Sequence, residues 1–573
     1  MVVASVSLAA AKTTGRGLPD PDIPARVPAT FPASWIFRPG SRPTFAPHAI
    51  VASDNRLAAE VGAEIMKQGG NAVDAAVATG FALAVTFPEA GNLGGGGYMV
   101  IRMADGRTAA IDYREMAPLA ASRDMYVGPD GKVSGESVIG PRASGVPGAV
   151  AGMVEAHRKF GVLPLAKVLA PAIRLAAEGF VVDHGFVRAV TGDKYRIESF
   201  AGKSLFLPNG APPAIGSRFV QPRLANTLKL IADSGATAFY RGSIADSIAA
   251  EMKRDGGLIT KGDLARYQPI WRKPIRSSYR GYALISMPPS SSGGITITEM
   301  LNILEAYGPA LPFGTPGRIH AVASASQRAF VDRNSKLGDP AFVNVPLSTL
   351  TSKRYANDVA RTISHDRADP TVGLASGIRE GTETTHYSVV DQSGNAVATT
   401  TTLNDLFGSG VYVSGAGFFL NDEMDDFTSK PGTPNMYGLI QGAANAIAPG
   451  KRMLSAMSPT IVLDPDGGLL LVVGARGGPR IITATSQIIL NVIDHRMTLA
   501  DAMSAPRIHH QALPDSLRFE RRGLTQAVID SLTAMGYGLS PVGGVGIAHG
   551  VMRVRGGWEG YVDPRSSGGA VGY

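Results

Sequence analysis

The chain has 573 residues, 44% of them hydrophobic and 18% charged, with 69 glycines, 39 prolines and no cysteine. That length and apolar content support a large buried core and exclude a disordered chain, and zero cysteine excludes thiol nucleophiles, thiolate metal sites and disulfides together. Net charge is +8, yet the longest basic runs are pairs such as Lys353-Arg354 and Arg521-Arg522, which argues against nucleic acid and leaves a mild attraction for small anions.

Residues 2–11 are small and apolar and end in Ala9-Ala10-Ala11, as an export signal and its cleavage site do. The charged segment that should precede them is missing, so a frayed terminus fits as well. A periplasmic or secreted protein is the expectation. Residues 13–47 are rich in Pro and Arg without a period and predict an extended arm. Leu57, Val61, Ile65 and Met66 then mark one helix face, ended by Gly69-Gly70-Asn71, and an Ala-rich helix from 72 to 85 should be buried all round. Four glycines at 94–97 lead into strands near 98–103 and 108–113. Helices are predicted at 147–158, 164–178, 223–234, 243–254, 295–306 and 318–334. No span is expected, since the uncharged stretch 75–88 is only 14 residues long, short of the ~20 that a membrane requires.

The second half changes character. Residues 385–390 and 395–402 are strand-like and joined by the hairpin turn Asp391-Gln-Ser-Gly394, followed by short strands at 411–413, 417–420, 459–463 and 469–474 and a helix near 480–494. The coarse picture is α+β, with helices on both sides of a mainly antiparallel sheet system.

Familiar constellations fail. None of the ten histidines forms His-Glu-x-x-His, so no metal is expected. The Gly94–Gly97 run precedes a strand and lacks a Gly-Lys-Ser/Thr ending, so it is no phosphate loop. Ser290-Ser-Ser-Gly-Gly294 reads equally as an anion cradle or an ordinary N-cap. The acidic run Asn421-Asp-Glu-Met-Asp-Asp426 lacks the glycine and glutamate of a calcium loop and suits a cationic ligand group better.

One set of motifs is far more specific. Gly69-Gly-Asn-Ala-Val-Asp-Ala-Ala76, Gly91-Asn-Leu-Gly-Gly-Gly-Gly97, Asp112-Tyr-Arg-Glu-Met-Ala-Pro118, Gly145-Val-Pro-Gly148 and Pro288-Pro-Ser-Ser-Ser-Gly-Gly294 run in order. Asp332-Arg333, Leu337-Gly-Asp-Pro340, Gly381-Thr-Glu-Thr-Thr-His-Tyr-Ser388, Met424-Asp-Asp-Phe427, Met457-Ser-Pro-Thr460 and Asp563-Pro-Arg-Ser566 continue it to a terminal Gly-Tyr. Over residues 45–573 the chain resembles the γ-glutamyltransferases, which are N-terminal nucleophile hydrolases. The resemblance implies a four-layer αββα sandwich and a precursor that cuts itself between Glu383 and Thr384. The parts would be an arm (1–44), a large subunit (45–383) and a small subunit (384–573), the last two forming one heterodimeric αββα unit.

The resemblance also implies roles. Thr384 would be the nucleophile, and its freed α-amine, with a reference pKa of about 7.7–8.0, suits a built-in base. Thr402 would hydrogen-bond the nucleophile, and Gly477 and Gly478 would hold the oxyanion. Asn404, Glu423 and Asp426 match residues that hold the substrate's α-amino group, and Arg114 and Ser455 those that bind its α-carboxylate. Tyr437 lies in what resembles a lid, 431–442. No cofactor or metal is implied. The donor would be glutathione or a similar γ-glutamyl amide, and the acceptor water, an amino acid or a peptide.

Two departures stand out. Ser455-Ala456 replaces the family's usual pair of serines, and the glycine pair sits in Ala475-Arg-Gly-Gly-Pro479, where smaller residues are commoner. The missing hydroxyl supports an alternative, an acylase for glutaryl- or cephalosporin-type amides. An uncleaved, non-catalytic binding homologue is the third reading, opposed by the intact Thr384 and Thr402.

Overall fold

The computed structural model describes residues 26–27, 29–371 and 384–573, so residues 2–11 of the export-signal reading and Glu383 of the cleavage site lie outside what it describes. Fourteen strands build two sheets of seven. In chain order they are β1 (Thr44–Ala46), β2 (Ile50–Ser53), β3 (Gly96–Arg102), β4 (Thr108–Tyr113), β5 (Ile270–Arg272), β6 (Ile275–Tyr279) and β7 (Tyr282–Ser286). Then follow β8 (Thr385–Val390), β9 (Ala396–Thr402), β10 (Thr460–Leu463), β11 (Leu469–Arg476), β12 (Ile547–Val554), β13 (Gly557–Val562) and β14 (Gly569–Gly572). The first sheet runs β14-β2-β8-β9-β3-β4-β5, the second β1-β13-β12-β11-β10-β7-β6, and neighbours are antiparallel.

β8 and β9 lie against β11, so the sheets stack face to face. Helices α1 (Arg56–Lys67) and α2 (Ala72–Thr86) cover the outside of the first sheet, while α3 (Gly293–Tyr307), α4 (Pro316–Lys336) and α5 (Arg480–Ile493) form the layer outside the second. This is the expected αββα order. Alternation along β8 divides its side chains between two cores: Tyr387 and Val389 join the apolar cluster of α1 and α2, and Val390 joins that of β11 and α5. The α2 helix is buried at all its 15 positions and begins in a capping box made by Asn71 and Asp74.

The strands β5 to β7 escape a sequence reading. β6 is half exposed at a sheet edge, and Arg272, Lys273 and Pro274 interrupt any alternation, so pairing partners decide the conformation there. The glycine run at 94–97 has a steric reason. A Cβ on Gly95 would lie 2.1 Å from the Thr402 carbonyl oxygen, and one on Gly97 2.4 Å from that of Thr400. The run lets β3 approach the end of β9 closely. Ser290-Ser-Ser-Gly-Gly294 is neither cradle nor side-chain cap: Ser290 bonds Tyr98 and Asp112, and Ser291 donates to the Met457 carbonyl at 2.5 Å.

A buried ionic network closes the C-terminal part. Asp563 takes Arg507 at 2.6 Å and Arg565 at 2.9 Å, and Arg565 also meets Glu520 at 2.6 Å. Burial alone would raise the Asp563 carboxyl, but the two arginines outweigh it and hold the group down to about 2. A depressed carboxylate stabilises the fold above its unfolded value of about 3.9, and that stabilisation is lost as pH falls toward 2. Asp563→Asn should therefore cost ~3–5 kcal/mol at pH 7, where buried Arg507 loses its carboxylate and Arg565 keeps only Glu520. Urea titrations should show the gap between variant and parent closing as pH drops from 5 to 2; a constant gap would contradict the assignment.

Candidate active site

The antiparallel register pairs Thr385 with Thr401, which brings Thr384 and Thr402 to the same rim of the first sheet. Their hydroxyl oxygens are 3.4 Å apart, long for a hydrogen bond between hydroxyls. Thr384 Oγ1 faces Thr402 Oγ1 as the donor, and Thr402 Oγ1 also accepts the Asn404 backbone N–H at 2.8 Å. Asn404 itself adopts φ +83°, a left-handed conformation that asparagine tolerates. Thr384 is 4% exposed.

The opposite wall comes from the second sheet. β11 ends at Arg476, and Gly477 (φ +125°) and Gly478 (φ +55°) turn the chain into α5. Among the described residues no protein acceptor faces the N–H groups of this pair. Pro479 removes the next N–H without touching the pair. Gly478 also has a packing reason, because a Cβ would lie 2.8 Å from the Tyr437 ring. The Tyr437 hydroxyl donates toward the Asn404 carbonyl oxygen (2.8 Å) and Oδ1 (2.9 Å), clamping the segment 431–442 over the cavity.

The cavity floor is ionic. Arg114 is fully buried and meets Glu423 Oε2 at 2.7 Å, Asp426 Oδ2 at closer range and Glu115 Oε2 at 3.4 Å. Burial raises the Glu423 carboxyl well above its ordinary range even against the pull of Arg114, and it raises Glu115 to about 7. Arg333, which faces the same cavity, is lowered to about 10 by burial. Ser455 and Ala456 line the wall beside Met457, and the Ser455 hydroxyl accepts the Met457 N–H at 3.1 Å. The acidic run is thus turned onto arginines, with Asp422 facing Arg196 at 3.2 Å.

The structure gathers Thr384, Thr402, Asn404, Gly478, Glu423, Asp426, Arg114, Ser455 and Tyr437 around one cavity, with Gly477 next to it. Arg476 points elsewhere, to Asp54 at 3.1 Å. Sequence reasoning assigned no site role to Arg333, Glu115 or Asp54. The first two sit inside quoted motifs, but nothing in the spacing of a lone Asp54 marks it.

The family model for gamma-glutamyltranspeptidase matches residues 58–573. The chain belongs to that family. It is 47% identical over 532 residues to the glutathione hydrolase proenzyme of Escherichia coli K12, covering 91% of each chain. A solved cephalosporin acylase from Bacillus halodurans superposes with TM-score 0.82 at 28% identity, covering 95% of this chain and 99% of the other. A chain of the Helicobacter pylori gamma-glutamyltranspeptidase matches 58% of this chain and 95% of its own length, with 41% identity and TM-score 0.55.

Within this gamma-glutamyltranspeptidase frame the Tyr437 clamp is testable without a substrate. Tyr437→Phe leaves the Asn404 acceptors without their donor, a cost of ~1–3 kcal/mol for buried groups. Limited proteolysis should then cut within 431–442 at least several-fold faster than in the parent. Equal rates would mean that packing, not the hydroxyl, holds the segment.

Proposed function

We propose that the protein is a self-processing γ-glutamyltransferase and hydrolase that cleaves γ-glutamyl amides such as glutathione. The observation that carries this is one cavity holding a threonine at the head of a central strand, a second threonine 3.4 Å away, a glycine-pair turn and a compensated arginine–carboxylate floor.

In the proposed precursor the Thr384 hydroxyl attacks the Glu383 carbonyl, and the resulting ester is hydrolysed to leave Thr384 as a chain terminus. The fragments hold 383 and 190 residues before any loss at the N-terminus. They would stay together, because β8 and β9 from the second fragment sit between β2 and β3 from the first. The term proenzyme for the E. coli relative and the length of the H. pylori chain support this division.

In turnover the Thr384 α-amine takes the hydroxyl proton as Oγ1 attacks the γ-carbonyl of the donor. Gly477 and Gly478 N–H groups receive the oxyanion, and the amine returns the proton to the leaving amine. Water or an amino acid or peptide amine then attacks the γ-glutamyl ester and regenerates Thr384. The donor's α-carboxylate would engage Arg114 with Ser455, and its α-ammonium would engage Asn404, Glu423 and Asp426. A floor in which a buried cation and two carboxylates touch is complementary to a zwitterion, whose own charges replace those contacts pairwise.

Thr384→Ala should give a folded, uncut chain without amidase activity, whereas Thr384→Ser should keep slow cutting and some turnover. A denaturing gel with intact-mass analysis reads both; cutting of the Ala variant at the same bond would refute the assignment.

Ala456 favours a second reading, an acylase for amides lacking the α-amino acid group, because it puts a methyl in the cavity wall where a hydroxyl would bond a carboxylate. Ala456→Ser should lower KM for a γ-glutamyl anilide roughly fivefold to tenfold, the effect of ~1 kcal/mol, and leave a glutaryl anilide unmoved. A parent protein that prefers the glutaryl donor would promote the acylase.

A further inference from the structure

Asp54 lies in the turn after β2, 3% exposed, and its polar contacts reach both sheets. Its Oδ2 accepts the Thr385 hydroxyl at 2.9 Å. Its Oδ1 faces Arg476 Nε at 3.1 Å, His549 Nε2 at 2.9 Å and the Ser566 hydroxyl at 3.2 Å. Thr385 follows the proposed nucleophile, and Arg476 precedes the proposed oxyanion glycines. One carboxylate therefore joins the head of β8 in the first sheet to the ends of β11 and β12 in the second. We propose that Asp54 is a positioning residue that fixes the distance between the Thr384 nucleophile and the Gly477–Gly478 oxyanion turn.

The proposal rests on the acyl-transfer reading above and deepens it. The two walls of the cavity belong to different sheets, and sheet stacking is set by apolar side chains that tolerate small slides. Gly477 and Gly478 lack a Cβ and can absorb such a slide, which would carry the oxyanion donors away from Thr384. A charged, geometrically specific anchor at the rim opposes that motion. It comes at a desolvation cost that an apolar contact would avoid, so its location calls for a directional role. Burial would raise the Asp54 carboxyl, but Arg476 and His549 outweigh it and keep the group well below the usual carboxylate range. The anchor is therefore charged throughout the neutral range. The guanidinium of Arg476 also lies over the Phe87 ring at 5.7 Å, which holds it at the rim and away from the substrate cavity.

The test uses purified, self-cut enzyme with active sites counted by acyl-enzyme burst. Asp54→Asn keeps the size and one acceptor but removes the charge, and Thr385→Val removes only the hydroxyl. Each is expected to lower kcat per active site roughly tenfold to hundredfold, as a misplaced reacting group does, with KM within twofold. The double variant should be no slower than the slower single variant, since both cut the same link. Should Asp54→Asn fail to accumulate, Thr385→Val paired with Arg476→Gln gives the same readouts. Parent-like kcat in folded, cut Thr385→Val, losses confined to KM, or additive losses would each overturn the proposal. Thr384→Ala in parallel separates the two failures: cutting of that variant refutes the acyl-transfer reading itself, whereas its silence with a parent-like Thr385→Val refutes only the role of Asp54.

Discussion

The antiparallel pairing of β8 with β9 is the constraint on which the rest of the site depends. Strand side chains have a period of two, so a slip of one residue would send Thr402 to the opposite face from Thr384 and remove the pair altogether. The turn pins the register at its far end. Gly394 adopts φ +82°, and the Asp391 carboxylate accepts the N–H groups of Ser393 (2.9 Å) and Asn395 (3.0 Å). The same carboxylate accepts the Ala72 N–H at 2.8 Å, fastening the hairpin to the start of α2. At the near end Gly95 packs beneath the Thr402 carbonyl and Asn92 Nδ2 donates to that oxygen at 2.9 Å. Features that read as separate motifs in the sequence thus serve one register.

The electrostatics follow from burial. Arg114, Glu115, Glu423 and Asp426 are gathered where water is excluded, so each charge is tolerated only against another. An arrangement of this kind favours a ligand that brings both signs at the same spacing, and it disfavours a simple anion, which would leave the carboxylates without a counter-charge. A composition with a modest positive excess says nothing about this selectivity. It is created locally by chain segments more than 300 positions apart that meet across the cavity.

Much of this was legible in the residues themselves. The hairpin at 385–402 was readable because β-branched and aromatic residues flank a turn of Asp and Gly, and α2 because an uninterrupted alanine-rich run has no solvent face. The residues that line the cavity were legible through the order of the motifs, not through any local period, and the cavity brings those motifs together. What stayed hidden has physical reasons. Edge strands such as β6 carry too little burial to imprint a pattern. Asp54 is one acid among 47 acidic residues, and its importance lies in three partners, Thr385, Arg476 and His549, that only the stacking of two sheets makes adjacent. Arg476 read in sequence as a disturbance beside the glycine pair. In the fold its charge is taken up by Asp54, so the turn keeps its geometry.

Burial also bears on the proposed mechanism, in which a Thr384 terminus would serve as its own base. Thr384 sits at the rim with little exposure, between sheets whose facing side chains near it include His386, itself kept neutral by burial well below its ordinary value. An α-amine created there by cleavage would be penalised as an ammonium by the same desolvation, which shifts it toward the neutral form that accepts a proton. Glu423 and Asp426 work in the opposite direction, since carboxylates across the cavity favour the ammonium. Arg114, in contact with both carboxylates, offsets that opposing effect. A donor whose own ammonium occupies the carboxylates weakens it further at the moment of attack. Under the proposed mechanism, substrate binding and activation of the nucleophile would be coupled through the same few charges, and a donor lacking the α-amino group would lose activation as well as affinity.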